Sequence, residues 1–88
     1  MAYKGLTKDI FLKIKELNKD VFTSKDFYNA FLKELERIYS NNKNVKAAIL
    51  REFQNLRDDN LLEFVDNNGT YKVINKSKWE EELNNLSE

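Results

Sequence analysis

The 88-residue chain contains no cysteine and no histidine. Their absence removes disulfides, thiol nucleophiles, imidazole bases and the usual zinc ligands, so a hydrolase triad and a zinc finger are both excluded. No apolar run approaches the roughly 18–20 residues that a membrane span requires, and no basic start leads into an apolar signal segment, which implies a soluble, cytoplasmic protein. Nor is there an excess of charge of one sign, since 15 basic residues face 15 acidic ones. A basic excess is the usual footprint of a nucleic-acid binder, so this balance argues mildly against one. The distribution softens that objection. Glu80, Glu81, Glu82 and Glu88 all come after Trp79, leaving residues 1–78 with 15 basic against 11 acidic groups, a net of +4.

What the chain does have is apolar material. Hydrophobic residues make up 41% of it, including six Phe, four Tyr and one Trp, enough for one packed core. Its length suits a single domain and is too short for a typical enzyme fold plus a second module, so one function is to be sought. Gly5 interrupts the lead-in, Thr7 can cap a helix beginning at Lys8, and Ile10, Phe11, Ile14 and Leu17 form an apolar stripe. That spacing predicts a first helix from about Lys8 to Leu17, with Asn18 ending it. Val21 and Phe22 make a very short extended piece. Thr23 with Asp26 three residues on approximates a capping box, opening a second helix over Ser24–Tyr39 whose apolar stripe is Phe27, Tyr28, Phe31, Leu32, Leu35, Ile38 and Tyr39.

The stretch Asn44–Asp58, NVKAAILREFQNLRD, organises the rest. Asn44 is a good cap, and Val45, Ile49, Phe53 and Leu56, with Ala48 between them, have the spacing of one buried helical face. At about 100° per residue the opposite face carries Ala47, Leu50, Arg51, Gln54 and Arg57, with Lys43 and Lys46 at its start. Arg and Gln can pair with base edges, small apolar groups can touch a thymine methyl, and lysines can meet phosphates. An ordinary amphipathic helix with a solvated polar face has the same pattern. The short polar turn Ser40–Lys43 makes the second and third helices neighbours, the helix-turn-helix arrangement in outline.

After Asn60 the period changes. Leu61–Val65 and Thr70–Ile74 read as strands, and Asn68-Gly69 between them signals a tight hairpin turn, both residues tolerating positive φ. Val21 and Phe22 could add a third strand. Ser77 with Glu80, then Trp79, Leu83 and Leu86, indicate a fourth helix, which docks on the body or forms a homodimer contact. The fold expected is therefore α+β: a winged helix over residues 1–74, built of a three-helix helix-turn-helix core and a β-hairpin wing, with an extra C-terminal helix over 75–88.

The runs VFTSKDFY and NNKNVKAAILREFQNLRDDNLLEF, and the glycine turn with Tyr71 behind it, resemble the C-terminal winged-helix domain of the Dam-replacing family of restriction endonucleases. The resemblance covers roughly Lys4 to Ile74. It is carried by Phe22, Thr23, Asp26, Tyr28, Asn42, Val45, Ile49, Gln54, Leu56, Arg57, Asp58, Glu63, Phe64, Gly69 and Tyr71, many of them fold-defining. It implies a module of enzymes directed at adenine-methylated GATC-type sites. This chain departs from the family pattern, which has basic residues where Ala48 and Leu50 stand, a glutamine at Arg51 and a glycine at Asn60. Three of those positions lie on the third helix, so if that helix reads bases it is expected either to read different ones or to use Arg51 and Gln54 in place of the family's set.

Double-stranded DNA is thus the expected partner, for a reader in restriction-modification or transcription regulation. Arg51 and Gln54 are the candidates for bases, Ala47 and Leu50 for apolar contact, and Lys43, Lys46, Arg57 and Lys72 for phosphates. Asn44 stands at the helix start, and Asn68 at the wing tip could reach a minor groove or simply form the turn. Lys76 and Lys78 could extend the phosphate contacts beyond Lys72. Asp58, Asp59 and Glu63 are the densest acidic cluster outside the tail, but Asp58 is better read as closing the third helix than as a magnesium ligand. No catalytic activity and no cofactor are expected. The alternative is a protein-interaction module without DNA affinity, using Leu50 and the Trp79, Leu83 and Leu86 stripe as its surface.

Overall fold

The computed structural model describes residues 5–66 and 68–86. Its elements are α1 (Gly5–Leu17), β1 (Val21–Thr23), α2 (Ser24–Ile38), α3 (Val45–Asp58), β2 (Leu62–Phe64), β3 (Thr70–Val73) and α4 (Lys76–Leu86). The three strands form one antiparallel sheet in the order β1-β3-β2, so the short piece at Val21 does complete the hairpin to a three-stranded sheet.

α1 begins at Gly5, earlier than the apolar stripe suggests. Gly5 holds φ +61°, a conformation glycine enters without a Cβ penalty, and so starts the helix rather than breaking it. Thr7 is consequently inside the helix and is not its cap; its hydroxyl donates to the carboxylate of Glu52 on α3. Asn18, at φ +56°, ends α1 as expected. The Thr23–Asp26 capping box is formed in both directions. α2 stops at Ile38, with Tyr39 as its C-cap, and Ile38 is 53% exposed, outside the buried stripe assigned to it.

α3 buries Val45, Ile49, Phe53 and Leu56, the face its spacing indicates. It ends in a Schellman motif: Leu61 N–H donates to Leu56 C=O at 2.9 Å and Asn60 N–H to Arg57 C=O at 2.9 Å, with Asn60 at φ +63°. Gly is the favoured residue at that position and Asn the next best, so Asn60 is accommodated there. Around α3 the rings interlock: Phe53 meets Phe27 edge-on at 5.1 Å and Tyr71 at 4.8 Å, and Phe22 packs against both Phe53 and Tyr71.

The hairpin wing forms between the two strand runs that the sequence marks. Val65 N–H donates to Thr70 C=O at 2.9 Å, closing the base of the wing. Asp66 Oδ1 accepts from the backbone N–H groups of Asn68 and Thr70, a side chain standing where a tight turn would place a carbonyl. Those donors hold the Asp66 carboxyl below its ordinary pKa, the Asn68 N–H contributing most. Gly69 sits at φ +84° and its carbonyl accepts from Ser24 N–H at 2.8 Å, seating the wing base on the start of α2.

α4 starts at Lys76, one residue before Ser77, after Asn75 at φ +53°, so Ser77 lies within the first turn rather than capping it. The helix docks on the body. Trp79 is 2% exposed, stacks on Phe11 at 4.5 Å and donates its indole N–H to Leu61 C=O at 2.9 Å. Leu83 is half-buried against the same core, and the Leu86 side chain lies outside the described residues. Docking on the body, one of the two arrangements considered for this helix, is thus formed through Trp79.

Candidate nucleic-acid interface

The exposed side of α3 results from the same periodicity that buries the other. Ala47, Leu50, Arg51 and Gln54 are all exposed, Leu50 at 43%, on the face turned away from Phe53. From Ala47 to Gln54 the helix rises about 10 Å, within the roughly 12 Å width of a B-DNA major groove. Lys43 and Lys46 stand exposed at its start, where no acidic residue occupies the first turn and the helix dipole favours anions. The Lys46 ammonium lies over the Tyr28 ring, 5.3 Å from its centroid. Tyr28 is half-buried, and burial pushes its hydroxyl pKa up, so the ring stays neutral beneath the cation.

Asn44 is committed to structure. Its Oδ1 accepts from Ala47 N–H at 3.1 Å, and its own N–H donates to Asn42 Oδ1 at 3.0 Å, a local net that fixes the turn leading into α3. Arg57 closes the face at the other end. Its guanidinium donates to Asp58 Oδ1 at 3.1 Å and lies over the Phe64 ring at 4.7 Å. Phe64, 39% exposed, meets Tyr71 edge-on at 5.1 Å. The recognition-type face and the wing are therefore joined through one arginine.

Lys72 is placed elsewhere. It is paired across the sheet with Val21 and Glu63, and Tyr71 before it points into the core, so the alternation of a strand sends Lys72 to the outer sheet face, away from α3. Asn68 is exposed at the wing tip, its N–H used by Asp66. Lys78 donates to the Asp59 carbonyl beyond α3, and Lys76 pairs with Asp20 at 2.8 Å, so both have structural partners. Among the described residues no group of three or more Cys, His, Asp or Glu side chains is placed to hold a metal. Asp58 is engaged with Arg57, and Glu63 is exposed on the outer sheet face.

The structure thus gathers Lys43, Lys46, Ala47, Leu50, Arg51, Gln54 and Arg57 on one surface, with Asn44 fixing its start, and separates Lys72 from it. Sequence reading misses Phe64 and Tyr28 as shelves beneath Arg57 and Lys46. Both depend on strand register or helix crossing, and neither leaves a local spacing signal.

Three helices with the last presented outward, and a hairpin seated beside it, define a winged helix-turn-helix. Comparison with family models matches residues 2–73 to the Dam-replacing HTH domain, and the chain belongs to that family. Membership implies DNA as the partner. The search of curated proteins produced no match. Among the described residues no helix is long and apolar enough to cross a membrane.

Proposed function

We propose that the chain is a sequence-selective reader of duplex DNA in which α3 enters the major groove and the wing lies beside it. The observation that carries this reading is the composition of the single exposed α3 face: two base-pairing side chains, Arg51 and Gln54, flanked by apolar Ala47 and Leu50 and ended by Lys43, Lys46 and Arg57. Arginine pairs with the guanine O6/N7 edge and glutamine with the adenine N6/N7 edge. Lys43 and Lys46 meet phosphates together with the amides of the first α3 turn. Arg57, already supported by Phe64, meets the backbone where the wing approaches.

The finer reading is recognition of N6-methyladenine. The methyl group adds apolar surface to the major-groove edge, and Leu50 offers a half-exposed apolar side chain between Lys46 and Gln54 on the helix face. Family membership supports this assignment. Fluorescence anisotropy against a short GATC duplex, unmethylated and adenine-methylated, at two salt concentrations tests it. Tighter binding of the methylated duplex is expected. Equal binding of both removes the methyl assignment and leaves a general reader, and no binding at low salt favours a protein-interaction module.

A further inference from the structure

On a part of the surface that shares no residue with the α3 face, a cleft of about 110 Å³ opens between the end of α1, the lead into β1, the end of β3 and the start of α4. Its apolar lining is Ile14, Val73 and Trp79, and its polar lining is Lys15, Asn18, Lys19, Asp20 and Lys76. Three ammonium groups against one carboxylate leave a local excess of two positive charges, on a chain whose net charge is +0. Asp20 is paired with Lys76 at 2.8 Å, and Lys19 lies 3.9 Å from Asp26, whereas Lys15 has no ion pair among the described residues. The volume exceeds the roughly 10–15 Å³ needed for one water and is below the roughly 150 Å³ of an engineered cavity that holds benzene. It suits a compact head group.

We propose that this cleft binds the phosphoryl group of a small anion, with Lys15, Lys19 and Lys76 around the phosphoryl oxygens and any short carbon portion against Ile14, Val73 and Trp79. Lysine is a compact phosphate-binding point charge, and Lys15 is the lysine of the lining without an ion pair among the described residues. Asp20 opposes the ligand and releases Lys76 to it. Because the cleft joins α1 to α4, occupancy holds the C-terminal helix on the body and raises thermal stability by mass action.

The chain carries a single tryptophan, and it lines the cleft. The test titrates the full chain with inorganic phosphate and with glycerol 3-phosphate at ionic strength held constant with KCl, following Trp79 emission and the melting temperature. A saturable response to either phosphoryl compound, beyond that of KCl, is expected; stronger binding of glycerol 3-phosphate identifies a monoester, and equal binding the head group alone. The double variant Lys15→Ala/Lys19→Ala should weaken binding by about tenfold or more, and Asp20→Asn should tighten it several-fold. Arg51→Ala should leave it unchanged. A response no larger than that of KCl, one retained in the double lysine variant, or one lost in Arg51→Ala would overturn the proposal.

Discussion

The guanidinium of Arg57 rests over the ring of Phe64 at 4.7 Å, joining the last turn of α3 to the first strand of the wing. Phe64 leans on Tyr71 and Tyr71 on Phe53, so the contact continues into the core beneath α3. An exposed cation–π pair contributes about 0.5–1 kcal/mol. A double-mutant cycle with Arg57→Ala and Phe64→Leu, read by urea denaturation, should return a coupling energy of that size. Additive effects would show that the two side chains are neighbours without coupling.

Asn60 occupies the left-handed position of the Schellman motif at φ +63°. Glycine has no Cβ penalty there, and Asn60→Gly should stabilise the domain by a few tenths to about 1 kcal/mol in chemical denaturation. Asn60→Ala should destabilise it. Opposite signs for these two substitutions separate backbone conformation from loss of the side chain.

Gly69 combines φ +84° with close approach to α2: a Cβ there would stand 2.8 Å from Ser24 Oγ. Gly69→Ala should cost about 1–2 kcal/mol or more. Adding Ser24→Ala should recover the steric part and leave the backbone part, a partition visible in the two melting temperatures.

The Tyr39 hydroxyl pKa is pushed up to about 12, from burial first and then from its hydrogen bond to Asp9. The unfolded chain releases that proton near pH 10 while the folded chain retains it, so the unfolded state binds fewer protons between these values. Stability is therefore fully present below pH 10 and falls as pH rises from 10 towards 12. Urea denaturation monitored by circular dichroism across this window should show the decline, and Tyr39→Phe should flatten it. Tyr28 and Tyr71 are shifted in the same direction, so a residual slope is expected.

Much of the fold is legible where local chemistry decides it. The buried α3 face, the Thr23–Asp26 box and the Asn44 cap arise from residue type and spacing, because each interaction closes within four residues. The α1 start is hidden because a glycine ordinarily interrupts a helix, whereas Gly5 at φ +61° opens this one. The Asp66 side chain as an acceptor within the wing is not signalled by Asn68-Gly69, because it depends on how the chain folds back between the strands. The candidate site divides in the same way. Its α3 face is visible in the periodicity, whereas the direction of Lys72 is set by the register of β3 against β1 and β2, and the Phe64 shelf by the path of the chain after Asn60.

The α3 face and the outer sheet face should respond differently to DNA. Arg51→Ala should relax sequence preference, costing about 1–3 kcal/mol on the preferred duplex, while Lys46→Ala should weaken all duplexes alike and flatten the salt slope. Lys72→Ala, on the outer sheet face, should have the smallest effect of the three. Anisotropy titrations on a set of duplexes at several salt concentrations give all three values.

The most direct measurement is amide chemical-shift mapping of the labelled chain titrated with a short GATC duplex. The largest shifts should fall on Lys43–Arg57 and around Phe64 and Asn68, with Val21, Glu63 and Lys72 little changed. Shifts centred on the outer sheet face or on α4, with α3 silent, would contradict DNA reading by α3.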